Sequence, residues 1–177
     1  AEKILELILT AVKDLVNYEL AVILKLSKNN TLKVQKAQGP LVNTHINNYE
    51  IDLKKRKDIM RILMIKEPYL FKEEEDHRDT YEGIVQLPRG HSCLVAPLYI
   101  DEKPIGLMTF DNRGCGVFSP AIVKFIGTLA QLIAVIIAQN DSRKYLDSLR
   151  KNLTRERNLL LTSDHKKFKT IIGKSKN

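Results

Sequence analysis

Apolar positions along this chain change their period several times, and each change marks an element. Ile4, Ile8, Val12 and Leu15 recur at helical spacing with Leu5, Leu9 and Val16 beside them, so the chain opens on a helix with a wide apolar stripe. Leu20–Leu26 reads as a buried strand, Asn29-Asn30 as a turn, and 32–37 as an alternating strand that closes at Gly39-Pro40. A second helix is expected over 51–65, with Ile51, Ile59, Ile62 and Leu63 on its core side, followed by a short strand over 68–71. Residues 72–91 form a charged loop. Cys93–Ile100 is a strong strand, Asp101-Glu102-Lys103-Pro104 its turn, and Ile105–Phe110 the strand that pairs back. Ser119 then stands at the N-cap and Pro120 in the first turn of a very apolar helix.

This order, with helices at both ends and a strand pair in the second half, predicts an α+β fold: an antiparallel sheet with helices packed on it. The last helix continues into a segment where Leu132, Val135, Gln139, Ser142, Leu146, Leu149, Leu153, Glu156 and Leu160 follow steps of three and four. Six of these nine positions are apolar, which predicts a coiled coil between two chains. Arg143, Lys144, Arg150, Lys151, Arg155 and Arg157 flank the stripe and argue against burial of the whole segment in its own domain.

Composition adds limits. At 177 residues there is room for one domain with a proper core and an extra helix. The apolar helix is interrupted by Lys124, Thr128 and Gln131, so no membrane span is expected, and the N-terminus has no signal-peptide pattern. Cys93 and Cys115 make no disulfide framework, which points to a reducing cytoplasm. The net charge of +8 would invite nucleic acid, but its distribution does not. Residues 143–177 hold 11 Lys and Arg against 3 Asp and Glu, so the whole excess sits on the connector and the rest is neutral. Direct nucleic-acid binding is not expected.

Gly173-Lys174-Ser175 is not a phosphate loop, because Phe168 stands where such a loop needs glycine. His91-Ser92-Cys93 is the closest pair of metal-ligating residues, with His77 in the same loop. Structural zinc sites use recognisable pairs such as Cys-x-x-Cys, and none occurs, so no metal and no cofactor is expected.

Ser92-Cys93-Leu94-Val95-Ala96-Pro97-Leu98, then Lys103 to Asp111 with Ile105-Gly106-Leu107, then Phe118-Ser119-Pro120 before the apolar helix, resemble the motifs of the GAF domain, a small-molecule sensor related to PAS domains. The resemblance implies a GAF/PAS-like antiparallel sheet flanked by helices, with a long C-terminal signalling helix. Phe168 to Ser175 is similar to the start of the AAA+ ATPase domain in sigma-54-dependent transcriptional activators of the NifA and FhlA kind. The implied organisation is a sensory domain over 1–140, a helical coiled-coil linker over 141–163, and the start of the ATPase over 164–177. The chain is thus expected to be a module of a longer protein, contacting DNA through a separate C-terminal domain.

The expected role is regulatory and not enzymatic. A homodimer would control assembly of the ATPase in response to a small organic ligand or a regulatory protein. Some activators of this class use an iron site, which leaves that alternative open. The Asn-Lys-Phe-Asp-Glu run of cyclic-nucleotide-binding members is absent, and neither cysteine is followed by the histidine common in bilin-binding ones. A GAF-type free methionine sulfoxide reductase is the alternative from another class, with Cys93 and Cys115 as its thiols. The ligand is expected between the sheet and the 72–92 loop. Arg78 and Arg89 would hold an anionic group, Tyr81 would cover it, and Cys93 and Val95 would form the floor.

Overall fold

The computed structural model describes residues 2–72 and 78–173, with side chains up to residue 161. By its contacts the chain divides into two units, residues 1–138 and 139–177.

The first unit is built on a six-stranded antiparallel sheet in the order β3-β2-β1-β6-β5-β4. Its strands are β1 (Leu20–Leu26), β2 (Thr31–Gln38), β3 (Glu50–Asp52), β4 (Tyr69–Leu70), β5 (Ser92–Ile100) and β6 (Lys103–Asn112). The helices are α1 (Glu2–Val12), α2 (Thr44–Asn47), α3 (Lys57–Ile65) and α4 (Pro120–Gly173). The expected helix over 51–65 is shorter than its apolar spacing implied. Ile51 pairs with Leu32 in β3, and the helix begins only at Lys57. A single apolar residue at helical spacing carries no information about which ladder satisfies its backbone, and here β2 offers one.

Strand alternation sends the two faces of the sheet into two cores. Ala21, Ile23, Leu94, Ala96, Leu98, Met108 and Phe110 face α1 and the first part of α4, whose Leu5, Leu9, Ile126, Ile133 and Ala134 are buried against them. Leu20, Val22, Leu24, Val95 and Leu107 face the opposite way, where Ile46, Ile59, Leu63, Tyr81 and Val85 cover them. Helix α1 ends at Val12, short of the expected Leu15 and Val16, and its apolar stripe is narrower than expected, for Ile4 stays exposed while Leu5 and Leu9 go in.

Two local features fix the middle of the sheet. A Cβ on Gly106 would stand 2.2 Å from the Leu24 carbonyl oxygen, so β6 can approach β1 this closely only without a side chain there. Pro97 lies beyond Leu94 and Val95, the only residues of β5 that β4 pairs with, and there β5 is an edge strand that tolerates proline.

Averaged over a window, α4 is apolar enough to cross a membrane, with mean hydropathy 2.2 over 18 residues, although its polar interruptions made a span unexpected. A third of that window is buried, and Ile126, Leu129, Ala130, Ile133, Ala134 and Ile137 belong to the core of the first unit. The helix is apolar there because it closes that core. In the second unit, residues 139–161 are helical, and Leu146, Leu149, Leu153 and Leu160 are exposed. Helix α4 continues through residues 164–173, where an ATPase domain was expected to begin, and residues 174–177 lie outside the described ones.

Candidate functional site

Polar side chains buried on the α3 face of the sheet form one connected group. Asp111 on β6 is the register partner of Cys93 on β5, and both side chains point to this face. Ser92 begins β5, so His91, two residues before Cys93, falls on the same side. One ligand atom each from His91, Cys93 and Asp111 lie within 4.8 Å of one another, and all three residues are buried. Two positions along β6, Thr109 accepts or donates a 2.6 Å hydrogen bond with the Tyr81 hydroxyl.

A tight turn over 88–91 orients His91. Its Nδ1 lies 2.9 Å from the Pro88 carbonyl oxygen, and its backbone N–H donates to the same oxygen. A carbonyl only accepts, so Nδ1 carries a hydrogen. Nε2 lies 3.4 Å from Asp79 Oδ1. Asp79 is held by Arg56. The buried Arg56 guanidinium donates to the carbonyls of Arg78 (3.1 Å), Asp79 (3.1 Å) and Thr80 (3.4 Å), and pairs with Asp58 at 2.6 Å. The Tyr49 hydroxyl also donates to the Thr80 carbonyl, at 3.1 Å.

The electrostatics are those of acids without enough counter-charge. Burial pushes the Asp111 carboxyl up to about 7; the Cys93 hydrogen bond works against this and the Asp79 charge adds to it. Burial, then Asp111, pushes the Cys93 thiol well above its ordinary value. Burial does the same to the Tyr81 hydroxyl. Asp111 Oδ2 has no hydrogen-bond partner among the described residues.

The residues expected at the site divide. Cys93 and Val95 are buried in the core on the α3 face. Tyr81 is fully buried between Thr109 and the Tyr49 ring, so it is part of the core and not a cover. Arg78 and Arg89 are exposed, and Arg78 donates to Glu82 at 2.6 Å, so the structure does not assemble them into an anion clamp. Long charged side chains in a loop find water more cheaply than burial. Arg56, Asp79, Thr109 and Asp111 were not singled out from sequence. Asp111 stood only within a family motif. Arg56, five residues into the helix expected over 51–65, gave no sign of turning inward. His77 lies outside the described residues. His91 and Cys93, noted as the closest ligand pair, are brought together as their spacing allowed.

Set beside known proteins, the architecture has clear relatives. The GAF domain family model matches residues 1–138, and the chain belongs to that family. Among curated proteins none matches it. The GAF domain of a phosphoenolpyruvate-protein phosphotransferase from Coxiella burnetii superposes with a TM-score of 0.68 at 14% identity, covering 80% of this chain and 84% of that one. The GAF domain of a two-component sensor histidine kinase from Bacillus halodurans gives 0.65 at 20%, covering 80% and 96%. A type II free methionine-R-sulfoxide reductase from Thermoplasma acidophilum gives 0.61 at 18%, covering 78% and 92%. At these identities the likeness is one of fold, shared by sensors and by an enzyme.

Proposed function

We propose that this chain is the regulatory sensory domain of a sigma-54-dependent transcriptional activator, working as a homodimer paired through its long helix. The observation that carries the pairing is the row Leu132, Val135, Leu146, Leu149, Leu153 and Leu160. Each is at least 42% exposed in the single chain, and the row keeps heptad steps. A polar helix with one uncovered apolar seam gains its stability from a partner seam. The activator context draws on the sequence likeness of 168–175 to the start of a AAA+ domain.

In this reading, a small ligand or a partner protein acts on the α3 face and biases two arrangements of the paired helices. The bias permits or blocks assembly of the ATPase ring. Its size is the ligand's difference in affinity for the two arrangements. The module has no catalytic role of its own, works in the cytoplasm, and leaves DNA to another domain. Cys93 is a poor nucleophile, buried and held as a thiol.

Sedimentation at micromolar concentration is expected to give about twice the 20.3 kDa chain mass. Leu149→Asp and Leu153→Asp are expected to shift the species toward monomer with the helical content of residues 1–138 retained. A wild-type monomer across that range would remove the dimer from the mechanism.

A further inference from the structure

We propose that Arg143, Arg150 and Arg157, a row on the second unit of α4, form a docking surface for an acidic amphipathic helix of another protein. The inference names the chemistry of a regulatory-protein partner and a surface for it, and its regulatory consequence rests on the paired-helix reading above.

The heptad itself sets the row. With positions lettered a to g and Leu146 at a, Leu153 and Leu160 also fall at a, and Leu149 falls at d. Arg143, Arg150 and Arg157 then all stand at e, directly beside the leucine seam, with Lys144 and Lys151 at f behind them. All five are exposed. Over 143–161, six Lys and Arg stand against two Asp and Glu. Asp147 is the one acid three or four residues from any member of the row, and Glu156 falls at d, in the seam itself.

A second copy of this chain does not complement the row. In a parallel pair an e residue meets the g residue five positions earlier in the other copy. Arg150 then meets Tyr145, and Arg157 meets Asn152. In an antiparallel pair e faces e, and arginine meets arginine. Neither orientation brings a carboxylate to these three side chains, so the complement has to come from a different molecule.

Spacing and neighbours select that molecule. Seven residues of helix rise about 10.5 Å, the interval at which a second helix presents its own heptad side chains. Guanidinium forks take carboxylates bidentately. Tyr145 and Leu159, at g, lie outside the a and d seam and are 68% and 63% exposed. In a parallel pair they give the far flank of each groove an apolar wall opposite the arginines of the other copy. A helix repeating leucine and glutamate every seven residues fits both flanks. A nucleic acid offers phosphates to the arginines but no aliphatic surface to Tyr145 and Leu159.

The test is fluorescence anisotropy of the full chain with three labelled synthetic helical peptides. They share their leucine positions and carry Glu, Gln or Lys at the flanking ones. The Glu peptide is expected to bind, and the Gln peptide to bind about tenfold more weakly, as three exposed ion pairs allow. Binding of the Glu peptide should weaken with added salt. Arg143→Glu, Arg150→Glu and Arg157→Glu together are expected to lose the Glu peptide and take up the Lys peptide, with sedimentation and helical content unchanged. That gain of binding is a readout a misfolded variant cannot give. Lys144→Glu with Lys151→Glu alters the row behind, and should leave the Glu-peptide affinity within about twofold of wild type, because exposed charges facing water are screened. Equal binding of the Glu and Gln peptides overturns the surface, and so does an equal loss from the lysine pair. A single-stranded oligonucleotide that binds the same arginines more tightly than the Glu peptide at physiological salt overturns the helix as occupant. If the wild type is dimeric and no peptide binds, the docking surface falls and the paired reading stands. If the wild type is monomeric and the Glu peptide binds through the arginine row, the pairing falls and the docking surface stands.

Discussion

Arg56 shows how one side chain can order a loop that has little apolar material of its own. Residues 78–80 have no strand to join, and their carbonyls would be costly to bury unpaired. The guanidinium supplies three donors at once, which a lysine could not do in a fixed plane. Asp58 completes the arrangement. Its burial works to raise the carboxyl, but the hydrogen bonds and charge of Arg56 outweigh this and hold it below the ordinary carboxylate range. A depressed folded-state value means stability that is present above the unfolded value and lost as pH falls through the folded one. The stability difference between wild type and Asp58→Asn, measured by urea unfolding, is therefore expected to be constant from pH 6 to 8. It should shrink below about pH 4. Asp58 is 42% exposed, so solvent screens the pair and the difference is modest. A difference that does not change with pH would show that Asp58 does not act through its charge.

At the scale of elements, the close contact between β1 and β6 sets the sheet. Gly106 faces the Leu24 carbonyl and the Leu98 side chain, 2.2 and 3.1 Å from where a Cβ would stand. Gly106→Ala must push the two strands apart, and is expected to destabilise by about 1–3 kcal/mol or more. Denaturant midpoints would measure it; a variant within error of wild type would mean that the ladder yields there without loss. Helix α4 carries two different tasks along one run. From Ile126 to Ile137 its apolar face closes the core, and from Leu146 to Leu160 a leucine row stands exposed. That change of use explains why a mean hydropathy sufficient for a membrane span occurs in a helix whose buried face already has a partner.

For the whole molecule, the fold is shared with sensors and with a methionine sulfoxide reductase, so chemistry has to separate the roles. Reduction of a sulfoxide needs an accessible thiolate. Cys93 is buried as a thiol, and Cys115 is exposed but outside the polar cluster. Incubation with free methionine sulfoxide and a thiol reductant is expected to give no turnover. Turnover that disappears in Cys93→Ser or Cys115→Ser would establish the enzyme in place of the sensor.

The sequence by itself determined the order of strands and helices, because burial on one face leaves a period that can be read: an opening helix, although it ends at Val12 and not at Val16, Leu20 to Leu26 as a strand, the 92–112 hairpin and the long closing helix. It determined the family on the same residues. It did not determine the start of α3, because Ile51 suits a helix stripe and a strand equally until β2 is placed beside it. The site was beyond its reach for a sharper reason. Counting back from the hairpin turn, where Ile100 pairs with Lys103, would set Cys93 opposite Phe110. A register shift between Leu98 and Tyr99 moves every later pair by one, and Asp111 takes that place. A slip of one residue exchanges the faces of a strand, so a single irregularity in the ladder decided whether Cys93 meets an aromatic ring or the Asp111 carboxyl. Only the folded sheet, with its bulge, brought His91, Cys93 and Asp111 together.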